Sequence, residues 1–282
     1  MKRWNIWALC ALLLFLSACG RGAEEPEEEG DGGLFATVVT YTGEDDDAEY
    51  LKIAGRSQKL VALLEEKAGT FVMDAYNYQS IDEEGTPLYT MNTHSYPQEF
   101  APTGQTIRVS GNYFLHNPIE AADGSDLAES LAYDDLTLNL LVPEKYRDRE
   151  GEITAAYRER FYFEKVMAEN AYNEMAGIPD RLELSEEELK VHIIYVKDGQ
   201  RYFTYRADCA PDTGSYITDP VVQIYTGNIH CNYAHSFLTQ WLYLPFEGNA
   251  EEAYRSILPY IEECGAGESV RRVKPVECLP ET

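Results

Sequence analysis

Residues 1–19 constrain this chain most, because they decide which part of it folds and in which compartment. Lys2 and Arg3 give a short positive start, Ile6 to Leu16 an apolar stretch, and Ser17-Ala18 two small residues just ahead of Cys19. A positive start, an apolar core of about 7–15 residues and a small-residue cleavage site describe an export signal. The apolar core falls short of the roughly 20 residues that a membrane-spanning helix needs. The sequence therefore predicts a signal peptide over residues 1–18 and a mature chain of 264 residues, 282 less 18. Such a length can build one large core or two lobes.

Leu16-Ser17-Ala18-Cys19 resembles the lipobox of bacterial lipoproteins. That resemblance implies a diacylglycerol, and acyl chains such as palmitate, on the thiol of Cys19. The chain would then sit in the cell envelope, lipid-anchored on the extracytoplasmic side of the cell membrane. At about 0.8 kcal/mol per buried CH₂, two or three acyl chains make a firm anchor. Residues 19–33 are read as the lipidated cysteine followed by an acidic flexible tether (GRGAEEPEEEGDGG). Its mean reach is about 20 Å, enough to hold a folded part off the bilayer.

Charge narrows the partners. Without residues 1–18 the chain has 21 basic residues against 49 acidic ones, a formal charge of −28 with histidines neutral. A field of that sign disfavours nucleic acid and anionic headgroups and favours cationic partners. An apolar content of 44% excludes wholesale disorder. Of the six cysteines, Cys10 leaves with the signal and Cys19 takes lipid. Cys209, Cys231, Cys264 and Cys278 remain in an oxidising compartment, where disulfides are expected. Four cysteines allow three pairings. Cys209–Cys231 with Cys264–Cys278 is preferred only because it closes the shortest loops. No CxxC motif signals a zinc ribbon or a redox dithiol.

Periodicity along the chain predicts an α+β fold. Strands are expected at 34–42, 71–78, 86–92, 106–110, 112–116 and 136–142. Residues 188–197 are expected to lead into a strand (VHIIYV), further strands are expected at 201–205, 221–225 and 270–277, and 242–246 reads as an apolar stretch. Residues 57–68 read as a helix capped by Ser57 and ended by Gly69, with Leu60, Leu63, Leu64 and Ala68 on one face. Residues 148–175 read as the longest helix, and 235–241 and 250–263 as two more. Asp198-Gly199 is expected to turn 188–197 into a hairpin with 201–205.

Signals for chemistry are sparse. The sequence contains no Walker A loop, GxGxxG fingerprint, GxSxG elbow or HExxH helix. His230, Cys231 and His235 are the one cluster of ligand type, but a spacing of five does not put both imidazoles on one helix face. Asp123, Asp126, Asp134 and Asp135 lack the spacing of a calcium loop and read as solvated turns. His192, inside an apolar strand, reads as structural. No catalytic group, metal site or cofactor is expected, and the chain is read as non-enzymatic.

Four blocks carry a family resemblance: Arg108–Glu120 (RVSGNYFLHNPIE), Leu140–Tyr146 (LLVPEKY), His192–Tyr205 (HIIYVKDGQRYFTY) and Asp219–Asn228 (DPVVQIYTGN). In this order and spacing they resemble the extracytoplasmic region of bacteriocin-associated integral membrane proteins, permease-like proteins of lactococcin-type loci. The likeness runs over roughly 34–277. It implies an outer domain of the macrolide-exporter type with two lobes. One lobe would be built from β–α–β units of both chain ends (34–110 and 220–282). The other would be a mixed α/β insertion (111–219) holding the long helix 148–175. Family members carry membrane helices on both sides of this region; here Cys19 stands in place of the first, and Thr282 ends the sequence where the second is expected. Transport itself is therefore not carried over.

The expectation is a binding, accessory or immunity lipoprotein beside a peptide or bacteriocin ABC exporter, whose partners are a permease or a cationic peptide. A truncated permease outer domain and a glycan-binding envelope module are the alternatives.

Overall fold

The computed structural model describes residues 33–41 and 46–280. The signal segment, Cys19, the tether ahead of Gly33 and the acidic positions 42–45 lie outside the described residues.

The chain folds as α+β. Its strands are β1 (Gly33–Val39), β2 (Phe71–Asp74), β3 (Thr106–Ser110), β4 (Thr137–Pro143), β5 (Lys190–Val196), β6 (Arg201–Phe203), β7 (Tyr216–Thr218), β8 (Val221–Tyr225), β9 (Leu242–Phe246) and β10 (Val270–Pro275). Its helices are α1 (Asp47–Ala68), α2 (Tyr113–His116), α3 (Leu127–Ser130), α4 (Glu150–Tyr162), α5 (Ala168–Met175), α6 (Cys231–Gln240) and α7 (Ala250–Glu263). Eight strands form one sheet in the order β10-β1-β9-β2-β3-β8-β4-β5, and β6 pairs with β7 apart from it. Neighbours are antiparallel except β3 with β8 and β4 with β5. Segments 34–110 and 220–282 supply six adjacent strands, and segment 111–219 continues the same ladder where β4 pairs with β8.

Strands β3, β4 and β8 are buried along their whole length, because both faces of the sheet are covered. Alternation sends Thr106, Arg108 and Ser110 to one face and Ile107 and Val109 to the other. On the first face Tyr157 of α4 donates to Thr106 Oγ1 at 3.0 Å, and the ring of Phe237 of α6 packs 5.0 Å from Tyr225. The second face carries an aromatic cluster in which Phe71 lies against Tyr113, Tyr205 and Tyr243. The segment around β6 closes over that cluster, with Tyr113 donating to the Phe203 carbonyl at 3.1 Å.

A buried ion cluster fastens the helices to the sheet. The helix expected at 148–175 runs through α4 and α5 with one π-helical turn, Phe163–Met167, between them. That turn buries Glu164 completely. Both carboxylate oxygens of Glu164 accept from Arg108 Nη2, at 2.7 and 2.6 Å, and Oε1 also accepts from Arg160 Nε at 2.6 Å. Gln223 Oε1 accepts from the same Arg108 nitrogen at 2.8 Å, and the guanidinium lies over the rings of Tyr233 and Phe237. Burial pushes the Glu164 carboxyl up, but Arg108 and Arg160 outweigh it and hold the group below the usual range.

Several local expectations change. Helix α1 begins ten residues before Ser57, where the Asp46 carboxylate accepts from Glu49 N at 2.8 Å. Ser57 is interior instead, and its hydroxyl bonds the Ile53 carbonyl at 2.9 Å. Residues 88–91 and 113–116 form short helical turns rather than strands. The 198–199 turn makes no hairpin: β5 lies parallel to β4, and β6 pairs with β7. Asp219 decides this, since its Oδ1 accepts from Gly199 N at 2.7 Å and Gln200 N at 3.0 Å, pulling the chain away from β5.

Candidate functional site

Two parallel neighbours whose connections leave on opposite faces open a crevice at their carboxyl ends, the usual ligand position in such sheets. Strands β3 and β8 meet that condition. After Ser110 the chain turns into α2 on the aromatic face, and after Tyr225 it passes to α6 on the helical face. Between them lies a cleft of about 410 Å³, lined by Glu65 and Glu66 of α1, Asn112 after β3, Tyr133, and Tyr225 and Thr226 at the end of β8.

Glu65 is the chemical centre of this cleft. It sits in the last turn of α1, one turn before Gly69, whose φ of 66° and N–H bond to the Leu64 carbonyl end the helix. Val61, four residues earlier, is fully buried, so Glu65 lies on the flank of the apolar face. The Ser110 hydroxyl and the Asn112 backbone N–H hydrogen-bond its carboxylate, while Asn112 Nδ2 donates to the Glu65 carbonyl at 2.7 Å. Ser110 is itself fixed, as its Oγ accepts from Val72 N at 2.9 Å. Burial is the larger effect and pushes the Glu65 carboxyl up to about 7. Its charge in turn contributes to raising the hydroxyls of Tyr133 and Tyr225.

Glu66 lines the same cleft but serves another purpose. Successive helical residues point about 100° apart, so the two carboxyls do not converge on one atom. Glu66 pairs instead with exposed Lys67 at 2.5 Å. The cleft thus offers one carboxyl that titrates near neutrality, an exposed tyrosine ring and a helix C-terminus. Thr226 Oγ1, on the rim, is buried without a hydrogen-bond partner. A hollow of about 450 Å³ by Thr40, Tyr41, Glu49, Glu268 and Arg271 borders positions 42–45, which lie outside the described residues.

The residues singled out in the sequence lie elsewhere. His230 caps α6, with Nδ1 2.6 Å from Asn232 Oδ1 and its ring stacked on Tyr172 at 4.7 Å. His235 Nδ1 lies 2.9 Å from Ser57 Oγ, so the two imidazoles serve separate contacts. Cys231 Sγ is 3.8 Å from His230 Nε2, yet burial pushes the thiol up to about 11 and the imidazole down, leaving both neutral. Asp123, Asp126 and Asp134 each accept from a backbone N–H of their own turn, and Asp135 pairs with Lys165 at 2.8 Å. His192 Nε2 meets the Ser130 carbonyl at 3.0 Å. Among the described residues, no group of three or more His, Cys, Asp or Glu side chains is placed to hold a metal ion.

All four described cysteines are free thiols, so neither preferred pairing, Cys209–Cys231 nor Cys264–Cys278, is formed. They belong to separate parts of the fold. Cys209 is fully buried in the loop before β7, Cys231 opens α6, Cys264 ends α7 and Cys278 follows β10. Loop length alone carries no information on such placement. A maleimide added to the native chain should modify Cys264 and Cys278 well before Cys209, and denaturation without reductant followed by peptide mapping should show Cys209, Cys231, Cys264 and Cys278 all labelled. Finding any two of these four unlabelled would contradict the free state.

No protein-family model matches this chain, and neither a curated protein nor a solved structure matches it.

Proposed function

We propose that this chain is a lipid-anchored, extracytoplasmic binding module, non-enzymatic, that takes cationic peptides beside a peptide or bacteriocin exporter. The observation that carries this reading is the cleft at the ends of β3 and β8, which presents a partly buried carboxyl in a chain of formal charge −26. A strongly acidic surface steers positive partners by its summed field, and a site of the same sign retains them. Tethering through Cys19 would raise the effective concentration of the module at the membrane. The resemblance of 34–277 to permease outer domains supports a place beside an exporter.

The test uses the full chain, purified with its anchor in detergent. Binding of a lysine-rich decapeptide should weaken by about tenfold or more between roughly 50 and 500 mM NaCl, as screening shortens the reach of the acidic field. Labelled palmitate should enter the wild-type chain in cells and be lost in Cys19→Ala. Salt-independent binding, or none, would remove the peptide reading. Palmitate retained in the variant would remove the anchor.

A further inference from the structure

We propose that the cleft between α1, β3 and β8 is a subsite for a single basic side chain, with Glu65 as counter-ion and the Tyr133 ring as its wall. This rests on the peptide-binding reading and specifies where on the molecule the peptide is read. Three independent features of the cleft favour a cation.

The first is the helix end. Glu65 lies in the last turn of a 22-residue helix, the end at which the aligned peptide dipoles favour cations. The second is the aromatic wall. Tyr133 is 71% exposed, an unusual state for a large ring, and its hydroxyl lies over Gly111, 3.7 Å from the position a Cβ there would occupy. An aromatic face next to a carboxylate is the pairing that holds ammonium and guanidinium groups.

The third is the incomplete solvation of the carboxylate. The groups facing Glu65 are Ser110 and Asn112 from the end of β3, Tyr133, and Tyr225 from β8, with Glu66 beside it on its own helix. None of these is a cation. Ser110 and Asn112 donate to the carboxylate, but burial outweighs them, so the protonated form persists up to about pH 7. An entering ammonium or guanidinium supplies the missing charge and displaces that proton to solvent. Binding is then linked to proton release, and affinity falls as pH drops below about 7.

The experiment uses the full chain in detergent with N-acetyl-lysine methylamide and N-acetyl-arginine methylamide as probes. The norleucine analogue serves as the uncharged control and butylamine as the free amine. Calorimetry across pH 5–9 should show the basic probes binding, with affinity level above pH 8 and falling about tenfold per unit below pH 6. The norleucine analogue should not bind. Butylamine bound as tightly as the amino-acid probes would assign the site to free amines and overturn the side-chain assignment. Glu65→Gln should weaken the basic probes at least tenfold at pH 8 and flatten the pH profile. Tyr133→Ala, a change at an exposed ring, should weaken them several-fold while keeping the profile. Glu187→Gln, a charge loss at an exposed turn elsewhere, should alter neither. If Glu65→Gln leaves both affinity and profile unchanged, the subsite is overturned, and salt-sensitive decapeptide binding would still stand on the wider acidic surface. If neither decapeptide nor probes bind, both readings fall.

Discussion

Glu164→Gln is expected to destabilise the protein by about 3–5 kcal/mol, because it leaves two guanidinium groups facing a neutral amide inside the fold. Arg108 is 7% exposed and Glu164 fully buried, so solvent cannot replace the lost charge. For a chain of this size that loss lowers the midpoint of thermal unfolding by about 10 °C. Denaturant titration should show the same loss in the midpoint. Glu152→Gln is the matched control. Its ion pair with Arg149 lies at the surface, and the change should leave the unfolding midpoint where it is in wild type. The Glu164 carboxyl is held below its ordinary range, so its contribution is present above the ordinary carboxylate value and is lost as pH falls through the lowered one. Wild type should therefore unfold in acid more steeply than Glu164→Gln. Equal acid limbs, or a variant as stable as wild type at pH 7, would show that the cluster does not hold the helices to the sheet.

Glu65→Gln should act in the opposite direction. The carboxyl is raised to about 7 in the fold against an ordinary 4.5, so the folded chain binds a proton more tightly than the unfolded chain. Stability then falls as pH rises from about 4.5 to 7 and stays at the lower level above that. Gln removes the penalty. After discounting for partial exposure, the variant should be more stable by about 2 kcal/mol at pH 8 and unchanged at pH 4. Unfolding curves at the two pH values check this directly, and equal stability at pH 8 would contradict it. A residue whose replacement stabilises the empty protein yet removes ligand binding is one kept for function at some cost to the fold.

Long periodic segments were legible in the sequence because their apolar pattern is their packing. The expected 250–263 helix coincides with α7, and 106–110 and 221–225 coincide with β3 and β8. What local pattern could not supply was partner choice. The turn at 198–199 looks like a hairpin until Asp219, twenty residues away, claims its N–H groups. Ser57 looks like a cap because it is a serine at the start of an apolar periodic run, whereas Asp46 caps the helix eleven residues earlier. The cleft was hidden for a similar reason. Glu65 reads as one of many glutamates on a solvated helix, and only the convergence of α1 with β3 and β8 isolates it. Its position four residues after Val61, on the rim of the apolar stripe, was the available signal. His230, Cys231 and His235 stand out by residue type alone, and in the fold His230 caps and stacks while His235 bonds Ser57.

β3 and β8 run antiparallel to β1, so their carboxyl ends lie at the pole of the sheet where β1 begins at Gly33. β10 also finishes at that pole, with Pro275 opposite Phe35. From β1 to β3 is three strand spacings, about 14 Å. The cleft therefore opens on the same pole of the sheet as the point where the described chain enters it at Gly33, so a bound side chain would meet the sheet beside the entry of β1.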